Sequence, residues 1–217
     1  MIPNRLQERP LPEDFARKLL LHSTNAKSGS LDKGELREVT SPFLSEPLGF
    51  VGVGSADDVI KAFELSRRAQ QQWQERSIAS RARVFKRFHD LVKAHRDLLA
   101  DIVQLETGKD RTAAYDEVLD VMNNARYYAN NAEKFLATKD QAGAFPVITS
   151  TTLQRVPKGI VGQISPWNYP LALGVSDAIA ALIAGNGVVA KPDWQTPFSN
   201  LISLHLLLNA GLPHDLF

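Results

Sequence analysis

The sequence predicts an α/β chain: a helical first part and a β-hairpin lead into a parallel sheet that runs for only two βα units. Three observations carry this. Late in the chain, two short apolar strands, Ile160 to Ile164 and Val188 to Ala190, alternate with helical stretches, Leu171 to Ala184 and Pro197 to Ala210. Strand–helix alternation favours parallel pairing through right-handed crossovers. Before them, three long segments repeat apolar residues at helical spacing. Between the two regions the period changes. Ala144 to Ile148 and Thr151 to Val156 are Thr-rich and β-branched, with Thr149-Ser150 between them, which reads as a hairpin.

Taken in order, Pro10 and Pro12 precede a short amphipathic helix candidate, Glu13 to Leu21, and the polar stretch Ser23 to Gly34 reads as a loop. Leu36 to Thr40 and Phe50 to Val53 are short strands around a Pro/Ser turn. The first long helix starts at Ser55, with Asp58 three residues on as its capping box, and carries Val59, Ala62, Phe63, Ala69 and Trp73 mostly on one side. The second runs from about Ala79 to Ile102 with a break near Ala94-His95-Arg96. Gly108 is its C-terminal stop. The third, Ala113 to Leu136, sets Tyr115, Val118, Met122, Ala125, Ala129, Ala132 and Leu136 on one stripe. Gly185-Asn186-Gly187 turns the next helix into the second parallel strand. The hairpin carries too little apolar surface for a core of its own, so it lies on another domain or pairs with another subunit. The expected division is 1–142 helical, 143–158 hairpin and 159–217 parallel sheet.

Composition narrows the function. The 217 residues are 44% apolar and 23% charged, and 25 basic against 24 acidic residues leave +1. No nucleic-acid or membrane field is implied. The absence of cysteine excludes disulfides, thiolate metal sites and a cysteine nucleophile within these residues. His22, His89, His95, His205 and His214 lack paired metal spacing, so no metal is expected. With no signal pattern and no run of membrane-spanning length, a cytoplasmic location is the expectation.

Both parallel strands end in a polar residue close to a proline, where a ligand site forms at the carboxyl edge of a parallel sheet. In Pro166-Trp167-Asn168-Tyr169-Pro170, Asn168 is either part of a plain turn before a helix or a carboxamide aimed at a developing oxyanion, a task suited to a neutral donor. Lys191 before Pro192 is either a snorkelling lysine or a cation at the ligand edge. Gly52-Val53-Gly54 lacks a third glycine and meets Asp57 and Asp58, so it reads as a capped helix start rather than a phosphate loop. Gly174-Val175-Ser176 lacks the second glycine of a nucleophile elbow. Arg81, Arg83 and Arg87 are expected on a solvated face, and Glu117 and Asp120 likewise as solvated charges.

Read together and in order, Leu105 to Lys109, Tyr127-Tyr128-Ala129, the Thr-rich hairpin, Ile164 to Pro170, Ala184-Gly185-Asn186 and Lys191 to Pro197 resemble the amino-terminal part of the NAD(P)-dependent aldehyde dehydrogenases, over about Leu36 to Phe217. Ser176-Asp177-Ala178-Ile179 and the Lys-Pro-Asp start of the last motif are most similar to bacterial succinate-semialdehyde dehydrogenases. The resemblance implies a Rossmann-like cofactor-binding sheet and a cysteine thiolate that attacks an aldehyde. The oxyanion is held by Asn168 and the cysteine's own N–H, hydride passes to the nicotinamide, and a glutamate activates the water of hydrolysis. It implies a cofactor surface of Ile164, Ser165, Pro166, Trp167, Asn168, Lys191, Pro192, Asp193 and Trp194, and an aldehyde channel lined by Tyr169 and Met122. Trp194 stands where NAD-preferring members often carry a glutamate, which favours NADP over NAD. The hairpin, 144–156, would join subunits of a homo-oligomer. Members run to more than twice this length, and their nucleophile cysteine, base segment and catalytic domain have no counterpart here. The chain alone is therefore expected to be inactive; the alternative is a non-catalytic module that binds cofactor or joins full-length subunits.

Overall fold

The computed structural model describes residues 36–44, 47–145 and 148–217. The helix candidate Glu13 to Leu21 and the loop Ser23 to Gly34 lie outside them. Strands β1 (Leu36–Thr40) and β2 (Pro47–Gly52) pair antiparallel, Leu36 opposite Gly52. Helix α1 (Ala56–Gln74) opens on the expected box: the Ser55 hydroxyl accepts from the Asp58 N–H, and Asp58 accepts from the Ser55 N–H at 2.8 Å. Its expected apolar side is only half used. Trp73 is fully buried, but Val59 and Phe63 are 59% and 50% exposed.

The long second helix is two. α2 (Ile78–Ala94) and α3 (Arg96–Thr107) meet at His95, and α3 ends on Gly108 at φ +80°, a left-handed position that glycine fills without strain. α4 (Arg111–Leu136) starts two residues before the expected point because Asp110 caps it, accepting from the Ala113 N–H. Val118, Ala125, Ala129 and Ala132 are buried as expected, with Tyr115, Met122 and Leu136 half-buried against the core.

The hairpin exists but is placed differently. Its strands are β3 (Lys139–Ala142) and β4 (Ser150–Leu153), so the first strand precedes the expected one, and Ala144, Phe145 and Ile148 lie outside any strand. Close approach fixes this: a Cβ on Gly143 would lie 2.2 Å from the Thr149 carbonyl oxygen. Pro146, inside the expected strand, has no N–H for a ladder. All eight strand residues are exposed. A division at 142/143 therefore cuts the hairpin.

Strands β5 (Ile160–Ile164) and β6 (Gly187–Lys191) pair in parallel, each followed by its helix, α5 (Ala172–Ile183) and α6 (Phe198–Asn209). Among the described residues this sheet holds two strands. It shares one continuous core with the helices, from Val39 through Phe88 and Val118 to Leu216, so no core boundary falls at 159.

Both crossover helices are held at both ends by charges from α2, α3 and α4. At the amino end of α5, Glu117 accepts from the Leu171 and Ala172 N–H groups, each at 3.0 Å; at its carboxyl end, Arg81 donates to the Ile183 carbonyl at 2.8 Å. At the amino end of α6, Glu106 accepts from Phe198 and Ser199; at its carboxyl end, Arg87 donates to the Ala210 carbonyl at 2.6 Å. Acids at amino ends and bases at carboxyl ends satisfy orphan backbone groups and oppose each helix dipole. This corrects the solvated reading of Arg81 and Glu117, which are 6% and 1% exposed; Arg83 and Arg87 are exposed as expected, Arg87 while holding its one backbone carbonyl. Asp120 is also engaged, accepting from the Ser176 hydroxyl at 2.7 Å.

Candidate functional site

Register places the two candidate motifs side by side. Ile164 pairs with Lys191, and the Ser165 N–H donates to the Lys191 carbonyl at 3.2 Å, so both strands end at one level. Beyond β5, Ser165 is buried, while Pro166, Trp167, Asn168 and Tyr169 form an exposed bend. The Asn168 carboxamide makes no hydrogen bond among the described residues. Pro170 has no N–H, so Leu171 and Ala172 are the first backbone donors of the coming helix, and Glu117 takes both. The other Glu117 oxygen is 2.5 Å from Lys109 Nζ, which lies 3.6 Å from the centre of the Tyr169 ring. A buried carboxylate thus fixes the end of the Asn168 bend, and its counter-ion rests on the aromatic residue within the bend.

Beyond β6, Lys191 is exposed and its ammonium has no hydrogen-bond or ion-pair partner among the described residues. Asp193 shapes the turn itself, accepting from the Gln195 N–H at 2.9 Å through its side chain and from the Thr196 N–H at 3.2 Å through its carbonyl. Pro192 is half-buried and Trp194 is 47% exposed. Glu106 closes the turn onto α6, accepting from Phe198 N–H, Ser199 N–H at 2.9 Å and the Ser199 hydroxyl at 2.5 Å. Burial pushes the Glu106 carboxyl up to about 7, against the hydrogen bonds from Ser199 and Phe198; nearby Glu117 adds to the rise.

The structure therefore gathers Ile164, Ser165, Pro166, Trp167, Asn168, Tyr169, Lys191, Pro192, Asp193 and Trp194 at one sheet edge. Met122 is half-buried against the core on α4. Glu106, Lys109 and Glu117 were not legible as site residues. Their partners lie far along the chain, Glu117 54 residues from Leu171 and Glu106 92 from Phe198, and no periodicity links them.

Two adjacent parallel strands ending in exposed turns, with both following helices anchored from a separate helical layer, are the arrangement at whose carboxyl edge open α/β sheets bind ligands. The chain belongs to the aldehyde dehydrogenase family, whose model matches residues 30–217. It is 49% identical, over 208 residues, to a Mycolicibacterium smegmatis protein provisionally named succinate-semialdehyde dehydrogenase (NADP(+)), a match covering 96% of this chain and 40% of that one. The crystal structure of an E. coli NADP-dependent enzyme matches with a TM-score of 0.81 at 30% identity, covering 86% of this chain and 38% of that one. A succinate-semialdehyde dehydrogenase of Burkholderia pseudomallei matches with a TM-score of 0.79 at 30% identity, covering 84% and 37%. The chain spans about 40% of the length of the first curated relatives it matches.

Proposed function

We propose that these residues form the amino-terminal, cofactor-binding part of a cytoplasmic, NADP(+)-dependent aldehyde dehydrogenase acting on a small aldehyde, best supported as succinate semialdehyde. The observation that carries the reading is the Ile164–Lys191 register, which brings the Asn168 bend and the Lys191 turn to one open edge. The provisional name of the 49% identical relative supports both the substrate and the cofactor. The edge suits a dinucleotide: Ile164 is 81% exposed, Trp167 and Trp194 offer ring faces, and the Lys191 ammonium is unpaired among the described residues. When bound, the cofactor supplies the hydride acceptor. Ile164, Trp167 and Trp194 pack against it, and Lys191 pairs with the ribose side.

Asn168 then acts as a neutral donor to the oxygen that gains charge when a nucleophile adds to the aldehyde. The bend is held for this by Glu117 through Leu171 and Ala172. The 217 residues contain no cysteine, so a thiolate nucleophile comes from outside them. Tyr169 and Met122 face the aldehyde in this reading, and the exposed hairpin with its 144–156 segment joins subunits. Among the described residues no helix is long and apolar enough to cross a membrane.

Isothermal titration of the purified chain with NADP(+) and NAD(+) is the test, alongside absorbance at 340 nm with succinate semialdehyde. Binding of a nucleotide, NADP(+) more tightly, without reduction by the 217 residues alone is expected. Failure to bind either nucleotide overturns the reading and favours a subunit-joining module. Reduction by the chain alone overturns the role given to an external thiolate.

A further inference from the structure

We infer that Arg37, on the amino-terminal hairpin, is a specificity residue of the nucleotide edge: stacked on Trp194, it presents a guanidinium to the 2′-phosphate that separates NADP(+) from NAD(+). This rests on the reading of the β5–β6 edge as the nucleotide site.

Strand alternation sets where Arg37 lies. Val39 is fully buried, and residues two apart on a strand share a face, so Arg37 points to the same side as Val39 but one step beyond the core's edge. The hairpin sits directly on the start of α6: Gly49 pairs with Val39, and a Cβ on Gly49 would come 3.0 Å from the Phe198 ring. From there Arg37 reaches back over the β6–α6 turn, its guanidinium carbon 5.1 Å from the centre of the Trp194 ring. Trp194 is three residues past Lys191.

Arg37 has no ion pair or hydrogen bond among the described residues; its one contact of this kind is the indole face. Its strand neighbour Glu38 points to the opposite face. With the indole face as its one such contact, the guanidinium has its N–H donors free of other partners, and a guanidinium binds a phosphate through two parallel hydrogen bonds. A phosphate monoester carries nearly two negative charges at neutral pH, whereas the 2′-hydroxyl of NAD(+) carries none. Arg37 therefore acts on one cofactor and is silent towards the other. Lys191 approaches the same ribose from its own strand as a point charge.

The bland account is that the stack only pins the hairpin to α6. Titrations of the purified chain with NADP(+), 2′,5′-ADP, NAD(+) and 5′-AMP separate the two, using the wild type, R37A and R37M. R37M keeps an apolar stem on the indole and removes the charge. Both variants should weaken NADP(+) and 2′,5′-ADP about 10-fold or more, the effect of one charge-assisted contact. NAD(+) and 5′-AMP should stay within about 2-fold. Added salt should shrink the wild-type advantage of 2′,5′-ADP over 5′-AMP, because the pair is exposed. If R37M weakens all four alike, or leaves the NADP(+) to NAD(+) ratio unchanged in a chain that binds both, Arg37 is not a specificity residue. If the wild type binds none of the four, the edge is not a nucleotide site and the inference falls with that reading.

Discussion

Replacing Glu117 by alanine tests whether the Asn168 bend is held from outside its own segment. The Glu117 side chain has no exposed surface, and that of Lys109 is 17% exposed. The substitution leaves the Leu171 and Ala172 N–H groups without an acceptor, at about 1–3 kcal/mol for each buried donor. It also strands the Lys109 ammonium, and breaking a buried pair from one side costs about 3–5 kcal/mol in total. These figures overlap, so the expected loss is about 4 kcal/mol, a large part of the roughly 5–15 kcal/mol that holds a domain folded. For a chain of this length it should lower Tm by roughly 8–16 °C. Glu117→Gln keeps one acceptor oxygen and should fall between. Asp116→Ala, one residue away and exposed, should stay within about 0.5 kcal/mol of wild type. Urea denaturation followed by circular dichroism gives the free energies, and hydrogen exchange at Leu171 and Ala172 reports the local effect. A Glu117→Ala protein within about 1 kcal/mol of wild type, with those amides still protected, would refute the anchoring argument.

Glu106 gives a pH signature. Its carboxyl rises from the ordinary 4.5 to about 7 in the folded chain, so the native state binds the proton more tightly than the unfolded chain does. The stabilisation is complete below about pH 4 and lost as pH rises through 7, amounting to at most about 3 kcal/mol; stability measured between pH 5 and 8 should decline, and Glu106→Gln should flatten that slope. In a form supplied with its nucleophile, Asn168→Ala should lower kcat about 100- to 1000-fold with little change in cofactor affinity; lost cofactor binding with turnover intact would remove the oxyanion role. The hairpin should mediate self-association, so light scattering at high concentration should detect oligomers that a Thr151→Pro change in β4 disperses; a strictly monomeric wild type whose hairpin amides resist exchange would mean internal packing.

What could be read from the sequence was what local rules govern. The Ser55 box, the Gly108 stop, the break at His95 and the strand endings at Ile164 and Lys191 each depend on residues within a turn or two, and each appears in the structure. The hairpin's first strand was misplaced because β-branched composition marks the 144–148 run, while pairing is set by the close approach of Gly143 to Thr149. Glu117 and Arg81 read as solvated charges because a polar residue on an amphipathic helix usually is one. Their partners are backbone groups at the ends of other helices, and a backbone N–H or carbonyl leaves no mark in the sequence. The Arg37–Trp194 stack was hidden for the same reason, since 157 positions separate the two residues.

The anchoring of both crossover helices by acids from α3 and α4 also bears on how the chain acquires its shape. The Glu117 and Glu106 contacts close loops of 54 and 92 residues, and such closures come late because chain entropy opposes them until much else is in place. The strands β5 and β6 and their helices can form early by local rules, but the two turns at their ends gain their final geometry only when α3 and α4 dock. The edge formed by these two turns is thus among the last features to be completed in folding. A partly folded chain would carry its recognisable secondary structure well before it could bind anything.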